Sequence, residues 1–147
     1  MISPNHASDF LLCESRERGD ILTNLKLQKL LYYAQAWHLA LKDQSLFAED
    51  FQAWVHGPVL CSQYQRFKVY EWRPILEEVL LPRLSSELKL YFKEIVDVFG
   101  CETATALELM THNERPWKET RRGVASDQQS TAIIPKELMQ EFYKSLR

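Results

Sequence analysis

The chain has 147 residues, a formal net charge of -2, 46% hydrophobic residues and 26% charged residues. That length suits one domain that buries a core without metal or disulfide support, and the near-neutral charge gives no global pull toward nucleic acid or an anionic membrane. The three cysteines, Cys13, Cys61 and Cys101, are odd in number and widely spaced, which argues against a disulfide framework or a zinc signature and fits a reducing cytoplasm.

In chain order, the first twenty residues lack a basic stretch followed by an apolar run, so no signal peptide is expected. Ser3-Pro4 is a helix start with proline at the first helical position, and Gly19 is its natural stop. Thr23 or Asn24 then caps a second helix running to Lys42 and Asp43. Its heart, "LQKLLYYAQAWHLAL" from Leu27 to Leu41, carries no charge after Lys29. A membrane span needs about 20 apolar residues, and Gln35 and His38 interrupt this shorter run. Leu27, Leu30, Leu31, Ala34, His38 and Leu41 make one helical face, and Tyr33, Ala36, Trp37 and Ala40 its neighbour. A helix apolar on most of its circumference is packed on several sides, so this is the expected central helix.

"SLFAEDFQAWVHGPV" alternates imperfectly at Phe47, Phe51, Ala53 and Val55 and is expected to be extended. Pro58 is placed in the first turn of a third helix carrying Val59, Leu60, Tyr64 and Phe67. "EWRPILEEVLLPRLSS" holds two prolines and reads as an irregular connector with room for one helical turn. "SSELKLYFKEIVDVFG" is the cleanest amphipathic helix, with a stripe of Leu88, Phe92, Ile95, Val96 and Phe99. "ETATALELMTH" is a short helix, "NERPWKETRRG" a helical fragment interrupted by Pro116, and "VASDQQST" a polar, mobile loop. A last amphipathic helix turns Leu138, Met139, Phe142 and Leu146 inward. The expected fold is mainly α: a single compact helical domain over residues 1–147, built around a buried central helix, with at most a short extended or two-stranded segment.

Candidate chemistry is sparse. His56, in "AWVHGP", sits on a backbone stiffened by Pro58. It reads as a general base, a recognition residue, or simply a hydrogen-bonded turn histidine. Lys29 is either a nucleophile of lowered pKa or a lysine whose stem reaches solvent or pairs with Glu49 or Asp50. Cys61 is a helix-start thiol or a small buried residue. Metal binding is not expected, because no close pair of histidines or cysteines exists. Arg115, Lys118, Arg121 and Arg122 surround Trp117, but Glu114 and Glu119 dilute the patch, which reads as a solvated face or docking rim rather than a nucleic-acid site. Glu77-Glu78 lies on a solvated connector. No nucleophile-elbow, zinc-protease, P-loop or dinucleotide motif appears.

The series "LKLQKLLYYAQAWHLA", "LFAEDFQAWVHGPVLCSQYQRFK" and "THNERPWKETR" resembles the Panacea domain, the SocA-like antitoxin or phage-associated GepA-like family. The resemblance runs from about Thr23 to the C-terminal helix. It implies a small helical cytoplasmic antitoxin, without enzymatic activity or cofactor, that neutralises a cognate toxin protein by direct binding. One branch of the family also delivers its toxin to a cytoplasmic protease. Leu30, Trp37, Phe51, Gly57, Pro58, Tyr64, Phe67 and Pro116 fall on structural positions of the motif. Lys29, Tyr32, Trp54, His56 and Trp117, with Arg121, are the expected partner-binding set. "VLC" after the HGP turn departs from the family's usual second proline and puts the start of the third helix in doubt. A homodimer through exposed Tyr or Trp residues stays open. Two alternatives also stay open: an enzyme or small-molecule site using His56, Lys29 and Glu49, and a DNA-binding autoregulator, for which no basic recognition helix is visible.

Overall fold

A computed structural model describes residues 1–147. Four helices start where a hydroxyl side chain accepts a backbone N–H three residues on. Ser3 accepts from His6, Thr23 from Lys26, Ser85 from Leu88 and Thr103 from Ala106, at 3.0–3.3 Å. These caps open α1 (Pro4–Glu17), α2 (Asn24–Lys42), α4 (Ser86–Phe99) and α5 (Ala104–His112). The remaining helices are α3 (Cys61–Phe67), α6 (Arg115–Thr120) and α7 (Lys136–Ser145). One antiparallel hairpin, β1 (Gln52–Trp54) and β2 (Gly57–Val59), completes the fold. No helix is long and apolar enough to cross a membrane.

The central position of α2 follows from its apolar circumference. It contacts α1, α3, α4, α5, α7 and β2. Leu27, Leu30, Leu31, Tyr32, Tyr33, Ala34 and Ala36 are all at most 1% exposed. Four of its polar side chains, Asn24, Gln28, Lys29 and Gln35, are buried too, and each finds a backbone partner, as buried polar groups must. Gln35 donates to the Phe47 carbonyl and accepts from Leu46 N–H, at 2.9 and 2.7 Å. Gln28 accepts from Leu60 N–H at 2.9 Å. The polar interruptions of the apolar run thus fix both ends of the segment that carries the hairpin.

Five expectations are corrected. Pro58 lies in β2, opposite Ala53, rather than in a helix, and α3 begins only at Cys61. Proline has no N–H, and in this register Gly57–Pro58 can end a hairpin as easily as start a helix. Pro116 sits in the first turn of α6 and opens that helix instead of interrupting it, since the missing N–H costs nothing there. The 70s connector contains no α-turn; a short 3-10 turn over Lys68–Tyr70 precedes it. In α7, Met139 and Tyr143 are buried while Leu146 is exposed. Tyr143 was hidden from an apolar stripe by its hydroxyl. On α2, Leu41 is exposed and faces away from the core.

Candidate functional site

Three stretches that lie far apart in sequence meet at the hairpin. α2 supplies Lys29, the hairpin supplies Trp54 to Pro58, and α5–α6 supplies Glu108, Thr111, His112, Glu114 and Trp117. Lys29 is fully buried, and its Nζ donates to the Pro58 carbonyl at 3.0 Å. It neither reaches solvent nor pairs with Glu49 or Asp50, as the sequence suggested. Glu49 instead accepts from Ser62, and Asp50 pairs with Lys136. Burial pulls the Lys29 ammonium down to about 7, opposed by the charge of Glu108.

Gly57 makes this approach possible. Its φ of +102° belongs to glycine, and a Cβ there would lie 2.5 Å from Lys29 Cε and 3.0 Å from Thr111 Oγ1. One residue before it, His56 forms the turn with Val55, and its side chain is 69% exposed. Its Nδ1 stands 3.4 Å from each carboxylate oxygen of Glu108. Beside it, Trp54 is half-buried against Tyr64, ring centroids 4.8 Å apart.

The other side of the hairpin is held by the α6 region. Trp117 Nε1 donates to the Trp54 carbonyl at 2.8 Å, and Arg121 donates to the Ala53 carbonyl at 2.9 Å. Arg121 also holds the carbonyls of Ala125 and Gln128, and its guanidinium lies over the Trp117 ring at 4.7 Å. His112 stacks on that ring at 3.9 Å. Burial pushes the His112 pKa down, opposed by the charge of Glu108 and helped by Lys29 and Arg121. The polar loop after α6 is likewise built in: Val55 N–H donates to Gln129, and Ala132 and Ile134 bond to β1 and Phe51.

Glu114 closes the arrangement. One of its carboxylate oxygens accepts from Tyr33 at 2.6 Å and from Tyr143 at 2.9 Å. Tyr143 has a single hydroxyl proton, which goes to Glu114, so Tyr32 is the donor in the 3.1 Å Tyr32–Tyr143 bond. Burial raises the Glu114 carboxyl, and the two phenols pull it back down.

Of the expected partner-binding residues, the structure therefore encloses Lys29 (0% exposed), Tyr32 (1%), Arg121 (3%) and Trp117 (5%). Only His56 and Trp54 reach the surface. Gly57, Pro58, Phe51 and Phe67 are buried structural positions, and Pro116 packs beside Trp117. Cys61 is a partly buried thiol whose pKa is raised by burial and by Glu49, contrary to a helix-start activation. Glu49 is tied to α3 and takes no part beside His56; Glu108 stands there instead. No group of His, Cys, Asp and Glu side chains is arranged to hold a metal ion.

The family model of the SocA-like antitoxin, Panacea domain, matches residues 27–118, well over half of the chain. The chain belongs to the Panacea family. No curated protein and no solved structure matches it. The matched span of this Panacea domain opens at α2 and closes in α6, so it contains Lys29, Gly57, Thr111, Glu114 and Trp117. Sequence reasoning missed Glu108, His112, Glu114, Tyr33 and Tyr143 as members of this cluster. The one signal available was an acidic residue just before the Arg-Pro-Trp helix start.

The buried lysine gives a pH-dependent stability of definite sign. Between pH 7 and the ordinary lysine value of 10.5, the unfolded chain binds a proton that the folded chain lacks. Stability attributable to Lys29 therefore rises with pH through that window, and its penalty is fully present below it. In urea titrations, the wild type should gain about 3–4 kcal/mol on Lys29→Met between pH 7 and pH 10. Parallel curves for the two proteins would disprove a neutral buried Lys29.

Proposed function

We propose that this protein is an antitoxin that binds a toxin protein directly through the hairpin tip, with His56 and the exposed part of Trp54 at the contact. The observation that carries this reading is the destination of the buried motif side chains. Lys29, Trp117 and Arg121 spend their hydrogen bonds on the hairpin carbonyls of Pro58, Trp54 and Ala53. A motif spent on stiffening one surface turn suits recognition, because a preorganised surface loses little entropy on binding. Glu108 orients His56 at that tip. The site of action is the cytoplasm, where a toxin can be met before it reaches its target.

An enzyme built on Lys29 is less well supported, since Gly57, Pro58 and Thr111 seal its ammonium from substrate. A nucleic-acid role is also less well supported. Arg115 is engaged by Glu119 and Glu141, and Arg121 is buried, which leaves only Lys118 and Arg122 of the basic stretch exposed and unpaired, too little for a phosphate-binding surface.

The test is coexpression with the protein encoded beside it. Growth arrest relieved by this chain supports the antitoxin reading, and a toxin whose effect is unchanged sinks it. His56→Ala should weaken toxin binding about tenfold while leaving the melting temperature within experimental error, because the side chain is exposed.

A further inference from the structure

The connector between the 3-10 turn and α4 has a backbone pattern that the antitoxin reading does not use. From Ile75 to Leu80 its residues alternate in burial. Ile75 is buried and Glu77 and Val79 are partly so, while Leu76 (69% exposed), Glu78 and Leu80 (88%) point out. That period of two belongs to an extended strand. The hydrogen bonds alternate with it. Ile75 N–H donates to the Leu22 carbonyl, Arg16 donates to the Ile75 and Glu77 carbonyls at 3.0 and 2.7 Å, and Cys13 Sγ approaches the Val79 carbonyl. Every bonded residue is odd-numbered. The N–H and C=O groups of Leu76, Glu78 and Leu80 have no protein partner. In a strand, alternate residues direct these groups to opposite edges. One edge is therefore tied to the body of the protein and the other is open.

Open edges accept another strand. Natural proteins shorten or charge such edges; here Pro74 and Pro82 bound this one, and leucines flank it. Between the two outward leucines stands Glu78, which forms no ion pair, whereas Glu77 turns inward to Arg66 at 2.9 Å. A second copy of this chain, paired antiparallel with Leu76 opposite Leu80, would set Glu78 against Glu78, and like charges directly opposite are destabilising. A basic residue between two apolar ones is the complement. We infer that the Leu76–Leu80 edge is a strand-acceptor site for an extended segment of a partner protein that carries apolar, basic and apolar residues at every second position, the spacing that sets all three on one face.

The full-length, nitrogen-15-labelled protein tests this with the capped heptapeptide Thr-Val-Thr-Lys-Thr-Val-Thr, which presents Val, Lys and Val on one face of a strand, followed by amide chemical shifts. The expected result is saturable perturbation concentrated on Leu76 to Leu81. Glu78→Lys should weaken binding of this peptide about fivefold and strengthen binding of its Glu-for-Lys counterpart by a similar factor. The residue is exposed, so the variant should fold. Three results would overturn the inference: no perturbation of these amides at millimolar peptide, equal response to the Lys and Glu peptides, or the same shifts on raising protein concentration without peptide, which would assign the edge to a second copy. None of these depends on toxin neutralisation at the hairpin.

Discussion

Replacing Gly57 with alanine will cost the protein about 2–4 kcal/mol, the sum of a left-handed backbone unsuited to a side chain and a Cβ forced into packed atoms. The backbone part comes from φ +102°, and the packing part from the 2.5 Å approach to Lys29 Cε. Lys29 has a flexible side chain, but it is fully buried and its Nζ is engaged by Pro58, so it cannot swing clear without losing that bond. Urea denaturation reads the loss as a lower midpoint at constant slope. A double-mutant cycle separates the two parts. In a Lys29→Ala background the clash with the lysine stem is gone, and Gly57→Ala should cost the backbone strain, about 1–2 kcal/mol, plus the remaining 3.0 Å contact with Thr111 Oγ1. Equal costs in both backgrounds would show that the lysine does not press on the hairpin. Because the strain falls at the residue after His56, toxin binding should also weaken in Gly57→Ala, beyond what the loss of folded protein explains.

Glu114→Ala should destabilise the fold by about 3–5 kcal/mol, because two buried phenols lose their acceptor at once. Tyr33 and Tyr143 both donate to the same carboxylate oxygen, and Tyr32 depends on Tyr143. The ring packing makes reorientation costly. Tyr33 stacks on Phe99 at 4.4 Å, and Tyr143 meets Tyr32, Tyr33, Trp37 and Phe142 at 4.9–6.1 Å. Glu114→Gln keeps an oxygen that accepts both phenols and should cost about 1–2 kcal/mol, the difference between a charged and a neutral acceptor. Thermal unfolding of the two variants side by side decides the matter. If alanine and glutamine cost the same, the charge and not the shared acceptor is what holds α2, α6 and α7 together.

These two positions show where sequence reading worked and where it stopped. Gly57 was legible as a turn residue, since a glycine before a proline punctuates any chain. That its bareness serves a lysine arriving from another helix was not legible, because 28 positions separate them and nothing in either neighbourhood marks the other. Glu114 looked like a charge diluting a basic patch. Only the packing of α7 against α2 brings Tyr143 and Tyr33 to one side of it. The same logic buries four of the six expected partner-binding residues. Lys29, Trp117 and Arg121 are polar or amphipathic and so seemed available, but each is consumed by a hairpin carbonyl. Sequence shows what a side chain can bond to, and burial decides what it does bond to.

The amino-acid sequence by itself determined the helical class, the helix start at Ser3-Pro4, a cap for α2 at Thr23 or Asn24, the central place of α2 and the family motif. Those features rest on local chemistry: a hydroxyl within reach of a nearby N–H, or an apolar period of 3.6 along one helix. The tertiary structure alone decided that Pro58 pairs in a strand, that Lys29 loses its solvent, and that Glu114 gathers Tyr33 and Tyr143. It also left one edge of the Leu76–Leu80 segment open while Arg16 and Leu22 hold the other. These outcomes depend on which residues distant in the chain come within hydrogen-bond distance, and the folding of the whole domain sets that proximity.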